Sequence, residues 1–227
     1  MKRLWQLRKH LYRRSIIGII CLALAGGTVG GWQAYRATDP TRVEPIAVPV
    51  DVAFHNGDII LAGGVSLQSR LVRTLTDDNT YSHVGMLEVT PQGVYVIHAA
   101  PKGPGDGGMG EQVAKIPLSL FLAERGYVAV RVMRMVGPGE AAEQAGEQAC
   151  AYALACAERE IGFDNDFDLI DHSRMYCSEL IYMAYKEAGM AWPDTLVGSY
   201  DNMFVEGPGV TPGAFVGCSD LQTIWQY

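Results

Sequence analysis

An α+β fold with a mostly antiparallel sheet packed with helices is predicted by three features of the sequence. Short runs of apolar, β-branched residues cluster mid-chain, at Val84 to Val89, Val94 to His98 and Tyr127 to Met135. Two of these runs flank Pro91-Gln92-Gly93, which has hairpin chemistry. Helical spacing falls at the two ends of this block, a segregation typical of α+β domains and not of βαβ repeats.

Each element has its own local reason. Asn56-Gly57-Asp58 is a turn, and Asp58-Ile59-Ile60-Leu61 follows as a strand. Leu67, Leu71 and Leu75 repeat at helical spacing over 66–75. Pro101 to Gly110 is a glycine-rich loop, and Pro117 opens a short helix to Glu124, since proline is tolerated in a first turn. Val128, Val130 and Val132 alternate along the next strand. Residues 139–161 form a long alanine-rich helix, an Asp-rich loop follows, and a second helix begins at Cys177 and ends near Gly189. The tail from Ala191, rich in Gly and Pro, is expected to wrap the surface. No internal repeat is present.

Charge is distributed unevenly over the 227 residues. Seven of the 18 basic residues lie in 1–36 and none of the 25 acids does, so the remainder carries 11 basic against 25 acidic residues, a balance of about −14. A body of that sign repels nucleic acid, so nucleic acid is excluded as a partner. The basic cluster instead precedes an uncharged apolar run, Ser15 to Trp32, in the order that directs a segment to insert with its N-terminus in the cytoplasm. Residues 1–36 therefore read as a signal peptide, cleaved after Ala23-Leu24-Ala25, or as a single-span membrane anchor at the lower limit of length. Either reading exports the body to the cell envelope, on the periplasmic or extracytoplasmic side. Residues 37–53 read as a linker, and 54–227 as the folded domain.

An exported chain can form disulfides, and the odd count of five cysteines leaves at least one thiol free. Cys150 and Cys156 lie on different faces of one helix, while pairing of either with Cys218 stays open. Cys21 lacks a lipoprotein box, and no C-x-x-C occurs, so no zinc ribbon is expected.

The residues suited to chemistry are few. Cys177 begins a helix on which Leu180, Ile181, Ala184 and Ala188 share its stripe, so its sulfur faces the core or a cleft. At a helix N-terminus the unpaired amides and the macrodipole favour a thiolate and can donate to an oxyanion. The plain alternative is a small buried hydrophobe. His83 begins a strand, and His98 ends its hairpin partner. The two rings are expected near one end of the hairpin, where one can orient the other as in a cysteine triad. Gly105 to Gly110 matches G-x-G-x-x-G, but no helix pattern follows, so it is a loop and a possible lid. Asp164-Asn165-Asp166-Phe167-Asp168 lacks the glycine and the bidentate Glu of a calcium loop and reads as a solvated turn. His55 and His172 are expected at the surface. No metal and no cofactor are expected.

Four pieces of sequence resemble the circularly permuted papain-like hydrolases of the NlpC superfamily, the YiiX-like group. They are Gly57-Asp58-Ile59-Ile60, Ser82-His83-Val84-Gly85, Gly162-Phe163-Asp164 with Phe167, and Tyr176-Cys177-Ser178-Glu179-Leu180. The resemblance covers about 54–190 and implies a permuted papain-like fold, in which permutation accounts for a histidine that precedes the cysteine. It implies Cys177 as nucleophile, His83 as base and His98 at the third polar position, with Tyr176 and Ser178 beside the oxyanion or substrate. YiiX-like members often carry an acid at that third position, and histidine there resembles the lecithin:retinol acyltransferase-like branch. The implied activity is an exported thiol hydrolase of amide bonds, in cell-wall peptides for example. A lipid acyl hydrolase or acyltransferase with the same site is the variant. A binding domain that keeps the cleft without catalysis is the alternative from another class.

Overall fold

A computed structural model describes residues 43–76, 80–101, 111–124, 126–201 and 206–227. The chain divides into two units, 1–39 and 40–227. The N-terminal segment read as a signal or anchor and the Gly105–Gly110 loop read as a lid lie outside the described residues. Among the described residues no helix is long and apolar enough to cross a membrane.

The predicted α+β architecture is present. An eight-stranded sheet has the order β10-β5-β1-β2-β3-β4-β6-β7. Its strands are β1 (Ile59–Gly64), β2 (His83–Thr90), β3 (Gly93–Ala100), β4 (Gln112–Pro117), β5 (Tyr127–Met135), β6 (Gly162–Phe163), β7 (Arg174–Met175) and β10 (Leu221–Gln226). All pairings are antiparallel except that of β6 with β7. The helices are α1 (Leu67–Leu75), α2 (Leu118–Glu124), α3 (Gly139–Glu158) and α4 (Cys177–Glu187). A separate hairpin pairs β8 (Gly198–Asp201) with β9 (Glu206–Gly209).

Strand alternation divides the core into two layers. Ile59, Leu61, Val84, Met86, Ile97 and Ala99 face α3 and α4, which pack on each other and on the sheet. Ile60, Ala62, Leu87, Val96, Val130 and Val132 face α2, whose Phe121 is fully buried. β1 is central, and all six of its residues are buried, as a two-sided strand requires. Ile46, within the stretch read as a linker, is buried in the α2-side layer.

The tail does more than wrap the surface. Its last strand, β10, closes one edge of the sheet against β5, from Leu221 opposite Met135 to Gln226 opposite Arg131. The helix expected from Pro117 begins one residue later, because Pro117 ends β4. The cysteines Cys150, Cys156, Cys177 and Cys218 are all buried free thiols, so neither Cys150 nor Cys156 is paired with Cys218.

Gly146 in the middle of α3 shows a close approach that overrides helix propensity. A Cβ there would lie 2.7 Å from the carbonyl oxygen of Asn56, and one on Gly57 would lie 2.5 Å from Gly146 Cα. Gly57 also has φ +85°, which L side chains rarely adopt. On propensity alone Gly146→Ala would stabilise the helix by about 1 kcal/mol. The backbone clash reverses the sign, with an overpacking cost of roughly 1–3 kcal/mol. Urea unfolding of Gly146→Ala is expected to show a net loss of stability, and a gain would contradict this packing.

Candidate active site

Two routes bring the N-terminus of α4 to the end of the sheet where β2 starts. The first is lateral. Ala100 of β3 pairs with Gln112, Gln112 with Gly162, and Gly162 with Arg174, so β7 delivers Met175 and then Cys177 to the end at which β3 finishes. The second runs along α4, which packs on β2 and β3. The Tyr185 hydroxyl donates to the Gly57 carbonyl at 2.7 Å, and Gly57 N–H donates to Leu87 O at 3.1 Å. The helix rises about 12 Å from Tyr185 back to Cys177. From Leu87 back to His83 the strand spans about 13 Å. Cys177 therefore falls level with His83.

The two histidines meet as expected. His83 Nε2 and His98 Nδ1 are 3.0 Å apart, with the rings at 90°. His98 lies opposite Gly85 by continuation of the ladder from Met86 and Ile97, so His83 is its diagonal neighbour on the same face. Gly85 makes room for the pair, because a Cβ there would come within 3.2 Å of His98 Cβ and 2.6 Å of Val96 Cγ1. Phe121 stacks on His83 at 5.9 Å and meets His98 edge-on at 5.5 Å. Both imidazoles are buried, His98 completely. Their ladder places them on the α2 face, whereas Cys177 belongs to the α3–α4 layer. Imidazole and sulfur can thus meet only around the end of the sheet, where His83 is the first residue of its strand and Cys177 the first of its helix.

At that helix terminus the first i→i−4 bond is Leu180 N–H to Tyr176 O, 3.1 Å. The N–H groups of Cys177, Ser178 and Glu179 precede it and lie outside the i→i−4 ladder of the helix. Cys177 is buried at 9% exposure, and its sulfur lies 3.8 Å from Ser178 Oγ. The stripe of Leu180, Ile181, Ala184 and Ala188 is buried, as the spacing predicts. Tyr176 is the residue before the helix. Its ring packs on Phe167, and its hydroxyl accepts from Val210 N–H at 3.0 Å, which ties the tail to this end of the sheet. Burial pushes its phenol pKa well up, so the hydroxyl keeps its proton.

Two neighbours were not visible as site residues in the sequence. His172, expected at the surface, is only half exposed, and its Nδ1 lies 2.7 Å from Glu179 Oε1. The Glu179 carboxyl is fully buried, and its Oε2 accepts from Tyr176 N–H at 3.3 Å. Burial pushes this carboxyl up to about 8; the Tyr176 N–H pulls it down, and Asp164, Asp168 and Asp171 push it further up. The signal available was an acid at the third helical position, the acid half of a capping box. His55 is exposed, as expected. The Asp-rich stretch is no solvated turn at its first residue: Asp164 is buried, and its two oxygens accept from the N–H groups of Asp166 and Asp168 at 2.9 and 3.0 Å.

The raised carboxyl has a thermodynamic consequence. Folded Glu179 holds its proton up to about 8, whereas the unfolded group loses it near 4.5. The folded state then binds more protons across that window, so this stability is full below 4.5 and is lost as pH rises through 8. The unfolding free energy of the protein, taken relative to Glu179→Gln, is expected to fall by on the order of 4 kcal/mol between pH 4 and 9. A difference independent of pH would contradict it.

Among the described residues no group of three or more His, Cys, Asp or Glu could hold a metal ion. No curated protein matches the chain. A crystal structure of the metalloprotein YiiX from Escherichia coli O157:H7 is similar in fold, with a TM-score of 0.59 and 23% identity over 76% of this chain and 97% of that one. The model of a family described as permuted papain-like amidase enzymes, YaeF/YiiX, C92 family, matches residues 53–225. That match takes in the Gly57-Asp58 turn, the histidine pair and the Cys177 helix, and this chain belongs to the permuted papain-like amidases, a family of cysteine hydrolases.

Proposed function

We propose that this protein is an exported thiol hydrolase that cleaves amide bonds through a Cys177 acyl-enzyme. The observation that carries the reading is the placement of Cys177 at the first position of α4, level with a hydrogen-bonded pair of buried histidines. His83 takes the thiol proton, and the sulfur attacks the substrate carbonyl carbon. The N–H groups at the start of α4, with Tyr176 and Ser178 beside them, stabilise the oxyanion. Collapse of the tetrahedral intermediate expels the amine, which leaves with the proton from His83. Water, deprotonated by His83, then attacks the thioester and releases the acid and the free thiol. His98 holds the His83 ring in place through the 3.0 Å contact. Export rests on the basic and apolar order of residues 1–36, and cell-wall peptides are the amides an envelope enzyme would meet.

A second reading keeps the same chemistry and changes the acyl donor. Histidine and not an acid stands at position 98, and a membrane-inserted N-terminus would hold the site near lipid. Intact-mass analysis after brief exposure to peptide amides and to phospholipids tests both. A Cys177-bound acyl mass from peptides supports the amidase. An acyl mass from phospholipid alone replaces it with the lipid reading. No adduct from either, with Cys177 unreactive to alkylating agents, leaves the binding-domain alternative.

A further inference from the structure

Glu179 and His172 lie outside the nucleophile–base pair, yet their geometry is costly to build. An acid at the third position of a helix ordinarily sits in water and contributes a modest cap. Here the carboxyl is fully buried, with one oxygen on the N–H of Tyr176 and the other on the ring of His172. Burial of a carboxyl opposes folding unless its hydrogen bonds are well made. A clamp on the backbone next to Cys177 accounts for that cost.

We propose that Glu179 and His172 are positioning residues for Cys177, a clamp that fixes the first turn of α4 so that its sulfur and N–H groups keep one orientation. This inference rests on the reading of Cys177 as the nucleophile. The charges around the clamp show how it avoids harming that nucleophile. Asp164, Asp168 and Asp171 face Glu179 from the loop between β6 and β7. Arg174 of β7 is directed to Asp166, and Cys177 lies two residues before Glu179 on α4 itself. An ionised carboxylate here would oppose a thiolate. Burial and, after it, the acidic loop favour the protonated form of Glu179. The 2.7 Å contact between Glu179 Oε1 and His172 Nδ1 closes the other side of the clamp.

The test is iodoacetamide alkylation of the full chain from pH 4.5 to 9.5, with labelling at Cys177 resolved by mass spectrometry and unfolding midpoints taken on the same samples. Glu179→Gln keeps both hydrogen bonds and is expected within about twofold of wild type at pH 7. His172→Ala is expected to slow Cys177 labelling roughly 3- to 10-fold and to raise its midpoint by about half a unit or more, at temperatures far below unfolding. Glu179→Ala, where it folds, is expected to lose more than tenfold. Labelling of His172→Ala within twofold of wild type overturns the inference, and so does Glu179→Gln as slow as His172→Ala. In both cases a wild-type midpoint that still depends on His83 shows that the nucleophile reading stands. A midpoint indifferent to His83 overturns that reading and this inference together.

Discussion

Replacing His83 by alanine is expected to lower amide turnover by roughly 10²- to 10⁴-fold, the range for loss of a positioned general base. The imidazole has two tasks in the proposed mechanism, proton removal from Cys177 and activation of the hydrolytic water. Its loss should therefore depress kcat, while KM changes little, because neither task is made in the ground state alone. His98→Ala should have a smaller effect in the same direction, since it removes the 3.0 Å contact that orients His83 and leaves the base in place. Phe121 still stacks on His83 in that variant, at 5.9 Å, and limits the loss of order. Steady-state kinetics on whichever amide acylates Cys177 would check the ranking. An equal loss in both variants would mean that the two rings act as one unit.

The largest stability effect is expected at Arg134 and Asp58. Asp58 is 1% exposed and accepts from Arg134 Nε and one terminal nitrogen, each at 2.7 Å, and from His55 N–H at 2.8 Å. The pair fastens the turn at 55–58, which carries Gly57 and so the far end of α4. Removing either partner of a buried pair leaves the other uncompensated, at a cost of roughly 3–5 kcal/mol when the orphan cannot reach water. The two orphans differ in this. Arg134 keeps 25% side-chain exposure and can be hydrated, whereas Asp58 cannot. Arg134→Ala should therefore destabilise more than Asp58→Ala, by about 3–5 kcal/mol against a smaller figure. Urea unfolding of the two variants gives the comparison, and the reverse order would show that the pair is more hydrated than its burial implies.

The sequence was most legible where period and chemistry coincide. β2, β3 and their turn were evident because apolar, β-branched runs flank Pro91-Gln92-Gly93, and that hairpin alone brings His83 and His98 together. The Cys177 helix was evident from its apolar stripe. Weak signals hid the rest. β6 and β7 contribute two residues each, too few for any period, yet they carry Cys177 to the sheet. β10 breaks its alternation at a register shift between Thr223 and Trp225, and the Gly- and Pro-rich tail before it gives no other strand signal. β4 follows a glycine-rich stretch and ends on Pro117, which suggested a helix start. Glu179 stands beside the apolar stripe, so helical periodicity predicts an exposed acid. Its burial comes from the loop of Asp164 to His172, a tertiary contact that no local pattern encodes. Gly57 and Gly146 likewise look like a turn residue and a weak helix former until the backbones meet.

The coupling of Cys177 to His83 is read by the pH dependence of Cys177 alkylation in wild type and in His83→Ala. The proposal predicts labelling of wild-type Cys177 with a midpoint well below about 8.5, the ordinary value for a free thiol, and loss of that low-pH reactivity in His83→Ala. An inert Cys177, or the same profile with and without His83, would contradict it.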